Sequence, residues 1–222
     1  MGKLVLEIQT SLDGYIATND GNTNWMLWNW GPEWTWDNEL QQYHNALTLS
    51  ADCILLSRQM AEEGFIAHWQ NVAMHAGSTQ YTFARHITNT PKVVFSKTLD
   101  KATPIPGGWD NVDIVAGDFV NAINKLKQHY HHDILVYGGA TFVSSLIKAD
   151  LIDEFHLLVN PVVIGSGLSI FKTISHPQEM TLIKSKSFNC GIVLLHYKSN
   201  HNQKQSAHVD LTTSLQHHHS NL

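Results

Sequence analysis

The sequence predicts a three-layer α/β sandwich whose central sheet is mainly parallel, with an antiparallel edge at its C-terminal end. Apolar runs of strand length alternate with segments of helical periodicity up to about residue 149. Three strand-like segments then follow one another without a helix between them. Alternation is typical of a parallel sheet covered by helices on both faces, whereas consecutive strands pair in antiparallel fashion.

Eight segments have the composition of strands. The first ends at a Ser-Leu-Asp-Gly turn, and the apolar runs around Cys53 and Val93 indicate strands buried on both sheet faces. The last two segments flank Asn189-Cys190-Gly191, a candidate hairpin turn. We expect strands at 3–9, 53–56, 92–96, 112–115, 134–137, 154–163, 180–188 and 191–197.

Four segments carry apolar residues three and four positions apart, as amphipathic helices do. In the first, this spacing runs from Leu40 to Leu47. Asp37 or Asn38 is its candidate N-cap, because a short polar side chain accepts hydrogen bonds from the first backbone N–H groups. Asp118 is the candidate cap of the third helix. We expect helices at 38–50, 78–88, 119–130 and 141–149.

Composition excludes several classes of protein. The 222 residues carry a net charge of −5 and no basic run, which argues against a nucleic-acid-binding protein. Two cysteines, Cys53 and Cys190, are too few for a disulfide framework or an all-cysteine zinc site. No apolar run approaches the ~20 residues of a membrane span, and the N-terminus lacks the pattern of a signal peptide. We therefore expect a cytoplasmic protein without a membrane partner.

We expect one folded domain, residues 1–198, followed by a polar tail, residues 199–222. The tail shows no periodicity, and such a segment buries too little apolar area to offset the entropy lost on ordering. It holds five of the 15 histidines, among them His217, His218 and His219. A histidine run suits either metal binding or simple solvation, and we interpret this one as a solvated, disordered tail.

Three predicted strands end in residues suited to phosphate binding. Glycines let backbone N–H groups approach an anion, a helix N-terminus adds partial positive charge, and cations and hydroxyls pair with phosphate oxygens. Taken alone, the glycine junction also suits a tight structural turn, and the other two suit solvated strand ends. Three on the same side of one sheet suggest a ligand with separated phosphates, such as a dinucleotide. The residues are Ser57, Arg58, Ser96, Lys97, Thr98, Gly138, Gly139, Ala140 and Thr141.

Other motifs leave two interpretations open. Asp13, at the end of the first strand, is either a turn residue or a carboxylate beside a bound substrate. The histidines at 129, 131 and 132 end a helix, where capping and solvation are favoured over a metal site, so we assign no metal. Neither cysteine has the context of a nucleophile. Five tryptophans lie within twelve residues and suit an aromatic cage, a carbohydrate platform or core packing: Trp25, Trp28, Trp30, Trp34 and Trp36.

The order of these motifs resembles a known family. Ser-Leu-Asp-Gly, Leu-Leu-Ser-Arg, Pro-Lys-Val-Val-Phe-Ser-Lys-Thr-Leu, Val-Tyr-Gly-Gly-Ala-Thr-Phe and Pro-Val-Val-Ile-Gly-Ser-Gly follow one another within residues 3–198. This set is similar to the dihydrofolate-reductase-like family, specifically to stand-alone relatives of the reductase domain of the bifunctional riboflavin-biosynthesis deaminase-reductase. The resemblance implies NADPH-dependent reduction of a pteridine- or pyrimidine-like compound, usually in a homodimer.

The resemblance also implies roles for the phosphate-compatible residues. The segment Gly138, Gly139, Ala140 and Thr141 matches the pyrophosphate-binding motif. Arg58 stands near the cofactor phosphates, with Ser57 in place of the family's glycine. Ser96, Lys97 and Thr98 match the segment that contacts the 2′-phosphate, which favours NADPH over NADH.

On the substrate side, Asp13 matches a catalytic, substrate-binding aspartate, and Trp25 matches a tryptophan that flanks the nicotinamide and the substrate. The other four tryptophans are expected to serve packing or a dimer surface, with one more touching substrate. Because Ser57 and Met60 depart from the family pattern, the alternative is a non-catalytic nucleotide-binding or dimeric interaction protein that retains the fold.

Overall fold

An eight-stranded sheet forms the middle layer of the structure, a computed structural model that describes residues 1–31 and 33–200. The strands are β1 (Leu4–Thr10), β2 (Ala51–Ser57), β3 (Lys92–Phe95), β4 (Val112–Val115), β5 (Asp133–Val136), β6 (Glu154–Val159), β7 (Met180–Ser187) and β8 (Val193–Ser199). The helices are α1 (Asn38–Leu49), α2 (Arg58–Glu62), α3 (Phe65–Val72), α4 (Tyr81–Asn89), α5 (Phe119–His129) and α6 (Ala140–Lys148).

The sheet has the order β4-β3-β2-β5-β1-β6-β8-β7. Every pair from β4 to β6 is parallel, while β8 pairs with β6 and β7 in antiparallel fashion. The predicted mainly parallel sheet with an antiparallel C-terminal edge is therefore confirmed. The registers place Glu7 beside His156 and His156 beside His196, so these three side chains face the same side of the sheet.

Two apolar cores cover the two faces of the sheet. Val5 packs in one core with residues from α1, α3 and α4, whereas its neighbours Leu4 and Leu6 pack in the other with residues from α5 and α6. This division follows from the alternation of side chains along a strand. It makes the three layers that the sequence predicts.

The chain after β2 is helical where the sequence analysis assigned no element. The Ser57 side chain accepts a hydrogen bond from the Met60 N–H and caps α2. Gly64, with φ of +97°, then separates α2 from α3. Helix α3 buries Ile66 and Trp69 in the core. The resulting two short helices lack the long periodicity on which sequence-based assignment depends.

The C-terminal strands also differ from expectation at their ends. Strand β6 ends at Val159 rather than residue 163, because the buried Asn160 side chain turns to bond with the backbone of β1 and β6 and with the Leu27 N–H. Strand β8 reaches Ser199. The rest of the expected tail, from residue 201, lies outside the described residues. Within the part of the chain that the structure describes, no helix has the length and apolar character needed to cross a membrane.

Candidate functional site

Three strand ends meet at one edge of the sheet, because the order β3-β2-β5 places these parallel strands side by side. Two cavities of about 310 and 250 Å³ open there and share Phe95, Phe142 and Ser145, so we call them together the strand-end groove. The first is also lined by Ser57, Arg58, Gln59, Gly139 and Thr141, and the second by Ser96, Lys97, Val115, Gly117 and Phe119. Phe95 and Phe142 stack with their ring centroids 5.4 Å apart.

Six of the nine sequence-predicted phosphate-compatible residues therefore line this groove. Thr98, Gly138 and Ala140 are their neighbours in the chain but are not among the lining residues. The exposed Lys97 supplies a cation at one end, and Arg58 supplies another near α6. A groove with two separated cations matches the separated phosphates expected from the sequence.

The junction between β5 and α6 requires glycine. Gly139 has φ of +85°, and a Cβ built on it would lie 2.7 Å from Ser57 Oγ, closer than real Cβ contacts. Gly139 is also the N-cap of α6 and has no side chain to accept from the first turn. The start of α6 therefore lies at the groove, which Gly139 and Thr141 line, and it has no side-chain cap. An uncapped helix N-terminus is a suitable anion site.

Arg58 and Ser57 are engaged in local contacts. Arg58 Nη1 lies 2.9 Å from Glu62 Oε2 in an exposed pair one helical turn apart. Such pairs contribute only about 0.3–0.5 kcal/mol, so a phosphate group can compete for the guanidinium. Ser57 Oγ accepts from Met60 N–H at 3.2 Å, and Met60 itself lines a different cavity. Position 60, one of the two departures from the family pattern, therefore contributes an apolar side chain to another cavity.

Ser96 holds the turn that presents Lys97. Its buried Oγ accepts from the N–H groups of Thr98 at 3.1 Å and Leu99 at 2.9 Å. This arrangement is an ordinary side-chain-to-backbone turn. Ser96 thus fixes the backbone, and Lys97 is the side chain of this segment that is free to reach a ligand.

Asp13 is an exposed carboxylate that holds a neighbouring loop. It accepts from the N–H groups of Gly165 at 2.7 Å and Ile164 at 3.3 Å. Hydrogen bonds from the Ser11 side chain and from these two amides keep the pKa of Asp13 below its usual value. Asp13 does not line any of the cavities described in this section. The structure places it against the loop at Ile164 and Gly165.

The tryptophans divide into two groups. Trp25 is half-buried, and its indole N–H has no partner within the described residues. The other four pack with the first core. Three of them surround the fourth, Trp28, whose ring centroid lies 5.2 Å from that of Trp30, 4.4 Å from Trp34 and 4.8 Å from Trp36. Of the roles expected for these four residues, packing is observed, while a dimer surface and a contact with substrate stay predictions.

Two polar side chains anchor this aromatic loop to the sheet. Gln9 Nε2 donates to the Trp28 carbonyl at 2.6 Å, and Asn160 Oδ1 accepts from Leu27 N–H at 2.9 Å. Both come from the carboxyl ends of neighbouring strands, β1 and β6. The loop is therefore held over the same end of the sheet as the strand-end groove.

Beneath the aromatic loop lies a buried acid–imidazole pair that sequence reasoning missed. Glu7 Oε2 and His44 Nδ1 are 2.7 Å apart, and both side chains are almost fully buried. They line a small cavity of about 70 Å³ together with Ile8, Gln9, Met26, Trp28, Trp30, Trp36 and Tyr137. Two features of the sequence could have indicated this pair. One is an acid inside an otherwise apolar strand, and the other is a histidine four residues after Leu40, on the buried face of α1.

A second polar cluster lies farther along the same sheet face. Potential metal-ligating atoms of Glu154, His156 and His196 lie within 4.8 Å of one another. Lys3 Nζ is 2.7 Å from Glu154 Oε1, and Tyr43 Oη is 2.6 Å from His156 Nδ1. Within the cluster, His196 Nε2 lies 2.9 Å from Glu154 Oε2, whereas His156 Nε2 is buried and has no hydrogen-bond partner among the described residues. Sequence analysis overlooked it because its members come from two strands 40 residues apart.

Comparison with known proteins identifies a family. Residues 2–194 match the model of the RibD C-terminal domain. Two uncharacterised proteins of Bacillus subtilis strain 168 are similar over 200 residues: YyaP at 26% identity, over 89% of this chain and 95% of its own, and YwjB at 29%, over 88% and 97%.

Solved structures share the fold. A putative riboflavin biosynthesis protein from Shewanella sp. PV-4 superposes with a TM-score of 0.64 at 24% identity, over 90% of this chain and 99% of that one. A diaminohydroxyphosphoribosylaminopyrimidine deaminase/5-amino-6-(5-phosphoribosylamino)uracil reductase from Thermotoga maritima gives 0.60 at 16% identity, over 89% of this chain and 56% of that one. The chain therefore belongs to the RibD C-terminal domain family and has its dihydrofolate-reductase-like fold.

Proposed function

We propose that this protein is an NADPH-dependent reductase of a pyrimidine- or pterin-like heterocycle. The observation that carries the proposal is the strand-end groove, in which an uncapped helix start and two separated cations lie at two cavities with shared lining residues. The family supports it, since the solved relative from Thermotoga maritima is named as a uracil-derivative reductase.

In this proposal the groove residues bind and orient the cofactor. The α6 N-terminus and Arg58 hold the pyrophosphate, Lys97 holds the 2′-phosphate, and the Phe95–Phe142 stack provides an apolar surface. Gly139 fits a phosphate-binding junction because, without a Cβ, the start of α6 can lie close to Ser57. NADPH supplies a hydride when bound, and the protein's part is to position it and exclude water.

The aromatic loop supports the substrate side of the proposal. Three indoles, those of Trp28, Trp30 and Trp36, line the small cavity over Glu7 and His44 together with Tyr137, which directly follows β5. Flat, apolar walls around a few polar atoms are typical of a site for a flat heterocycle. Asp13 and Trp25 stay proposed substrate-side residues on the family pattern alone.

A titration with NADPH tests the proposal. Tryptophan fluorescence should be quenched on binding, and a panel of pterins and pyrimidines should then be screened for loss of NADPH absorbance. No binding at millimolar NADPH would refute the reductase.

The alternative is a non-catalytic nucleotide-binding protein that retains the fold. The departures from the family pattern at Ser57 and Met60 favour it, because Met60 is apolar and lines a different cavity. Tight NADPH binding without NADPH oxidation across the whole panel would support this second function instead.

A further inference from the structure

Two histidines and a glutamate meet on one face of the antiparallel edge of the sheet. Glu154 and His156 lie two residues apart on β6, so both side chains point to the same face. His196 of β8 is the direct cross-strand partner of His156, and the two imidazole rings stack with their centroids 4.0 Å apart. The strand register therefore brings three metal-ligating side chains to one place.

His156 has one paired and one unpaired ring nitrogen. Nδ1 lies 2.6 Å from Tyr43 Oη, whereas Nε2 is buried and makes no hydrogen bond within the described residues. The His156 side chain is only 5% exposed, and the 3.8 Å from Nε2 to Glu154 Oε2 is too long for a hydrogen bond. A buried polar atom left unpaired in this way calls for an explanation such as a water or an ion.

The spacing of the ligand atoms suits a tetrahedral ion. Zn²⁺ holds nitrogen and oxygen ligands at about 2.0–2.2 Å, so two ligand atoms of a tetrahedral site lie roughly 3.3 Å apart. Glu154 Oε2 lies 2.9 Å from His196 Nε2 and 3.8 Å from His156 Nε2, and these two distances bracket that value. Ligand atoms of all three residues lie within 4.8 Å of one another.

Outer contacts orient two of the three ligands. Glu154 Oε1 accepts from Lys3 Nζ at 2.7 Å, which leaves Oε2 on the side of the histidines. When His156 Nδ1–H donates to Tyr43 Oη, Nε2 carries the lone pair that a metal needs. Ligating histidines characteristically hold their second ring nitrogen against an oxygen in this way, and the contact fixes the orientation of the ring.

The cluster is reached from solvent on one side. The side chains of Glu154 and His196 are 16% and 14% exposed, so an ion can enter and a water can fill the fourth position. Two imidazoles with one carboxylate and one open position are a ligand set of zinc sites. Ca²⁺ and Mg²⁺ prefer oxygen ligands alone, so the two nitrogens favour a transition metal.

We propose that Glu154, His156 and His196 bind one divalent transition-metal ion of the Zn²⁺ class, which ties β6 to β8. The ion takes the place of the proton that His196 Nε2 donates to Glu154 Oε2. Glu154 pairs with Val5, near the start of the parallel strands, whereas the strand-end groove lies at their carboxyl ends. The ion therefore stabilises the C-terminal edge of the sheet and lies away from the proposed cofactor site.

Calorimetric titration of the EDTA-treated, dialysed full chain with Zn²⁺ tests this inference. His196→Gln should lose one bound equivalent or weaken it more than about a hundredfold, because a direct ligand is gone. Tyr43→Phe removes only the oxygen behind His156 and should weaken the same equivalent by about tenfold or more. Zn²⁺ should also raise the midpoint of thermal unfolding of the unaltered protein but not that of His196→Gln, because the ion joins two strands of the folded state.

Two controls separate this site from the other histidines of the chain. His132→Gln removes an exposed histidine that pairs with Asp52 and should keep both the bound equivalent and the rise in midpoint. A full chain with His217→Ala, His218→Ala and His219→Ala, which changes residues outside the described ranges, should keep them too.

The inference is wrong if no bound equivalent depends on His196. This result would follow if the chain bound no Zn²⁺ or if the triple variant lost all of it, and an ordered water would then pair with His156. If His196→Gln does not fold, Glu154→Gln is titrated with the same criterion. Because Zn²⁺ is titrated without NADPH, the result does not depend on the proposed reductase.

Discussion

Ser57 Oγ stands 2.7 Å from the point that a Cβ on Gly139 would occupy. This contact joins the end of β2 to the start of α6, two segments 82 residues apart in the chain. It explains why a glycine precedes the helix and why the helix start lies so close to the neighbouring strand end. The same contact brings Arg58, which follows Ser57, beside the α6 N-terminus.

Gly139→Ala is expected to weaken both folding and NADPH binding. The added methyl group meets Ser57, and the positive φ strains the backbone, so the free energy of unfolding should fall by about 1–3 kcal/mol. NADPH binding should weaken more than tenfold because the helix start moves. Urea denaturation and fluorescence titration measure the two effects.

The matched control for this change is Gly77→Ala. Gly77 has nothing within 4 Å of an added Cβ and no positive φ, so neither quantity should change appreciably. Unaltered NADPH affinity in a folded Gly139→Ala protein would contradict a cofactor site at this junction.

Lys97→Ala should narrow the preference for NADPH over NADH. A charge-assisted hydrogen bond to the 2′-phosphate contributes about 1.5–3 kcal/mol, so the preference should fall by about tenfold or more. Lys101→Ala removes another exposed lysine, which pairs with Asp113, and should leave the preference intact. Competitive titration with both cofactors measures the ratio. An unchanged ratio in Lys97→Ala would remove the 2′-phosphate assignment.

Glu62→Gln should strengthen NADPH binding two- to threefold. Glu62 holds the Arg58 guanidinium in an exposed pair, and its loss frees that cation for phosphate. The free energy of unfolding should change by less than about 0.5 kcal/mol, since such surface pairs contribute little. Glu63→Gln, the neighbouring acid that accepts from Gln59, is the control and should have no effect on affinity. Weaker binding in Glu62→Gln would show that the pair itself forms the site.

Acid should destabilise the protein through Glu154. The His156 ring, the Lys3 ammonium and the His196 ring hold the pKa of Glu154 well below its ordinary value of 4.5, against the opposing effect of burial. The folded-state pKa is lower than the unfolded one. The stabilisation is therefore complete above about pH 4.5 and is lost as the pH falls toward the folded-state pKa.

Urea denaturation between about pH 5 and pH 3 checks this linkage. Glu154→Gln should be less stable at pH 5 and should lose less further stability on acidification than the unaltered protein. Glu33→Gln, which changes an exposed carboxylate, should follow the unaltered profile. If the free energy of unfolding falls equally with pH in the unaltered protein and in Glu154→Gln, Glu154 is not the source of the acid destabilisation.

Much of the strand-end groove could be predicted from local sequence. Glycine pairs, hydroxyls and cations at strand ends are local signals, and the parallel order of the strands brings them to one edge. Arg58 and Lys97 line the groove for this reason. Ser96 shows the limit of the approach, because its hydroxyl turned out to hold the Lys97 turn through two backbone amides.

The substrate side could not be predicted in the same way. Glu7 appeared only as an interruption in an apolar strand, and His44 as one polar residue on a helix. Neither carries a local signal for pairing across 37 residues. The pair exists because α1 packs on β1, and the aromatic loop that covers it is anchored by Gln9 and Asn160 from two different strands.

The sequence by itself determined the layer order, the parallel sheet, its antiparallel edge and the strand ends that line the groove. Those features follow from the period of apolar residues and from turn chemistry, which act over a few neighbouring residues. Only the tertiary structure decided that Glu7 meets His44, that Trp30 lines two cavities and that Asp13 holds a loop. These depend on side chains from distant segments filling one interior, where burial makes each unpaired polar atom costly.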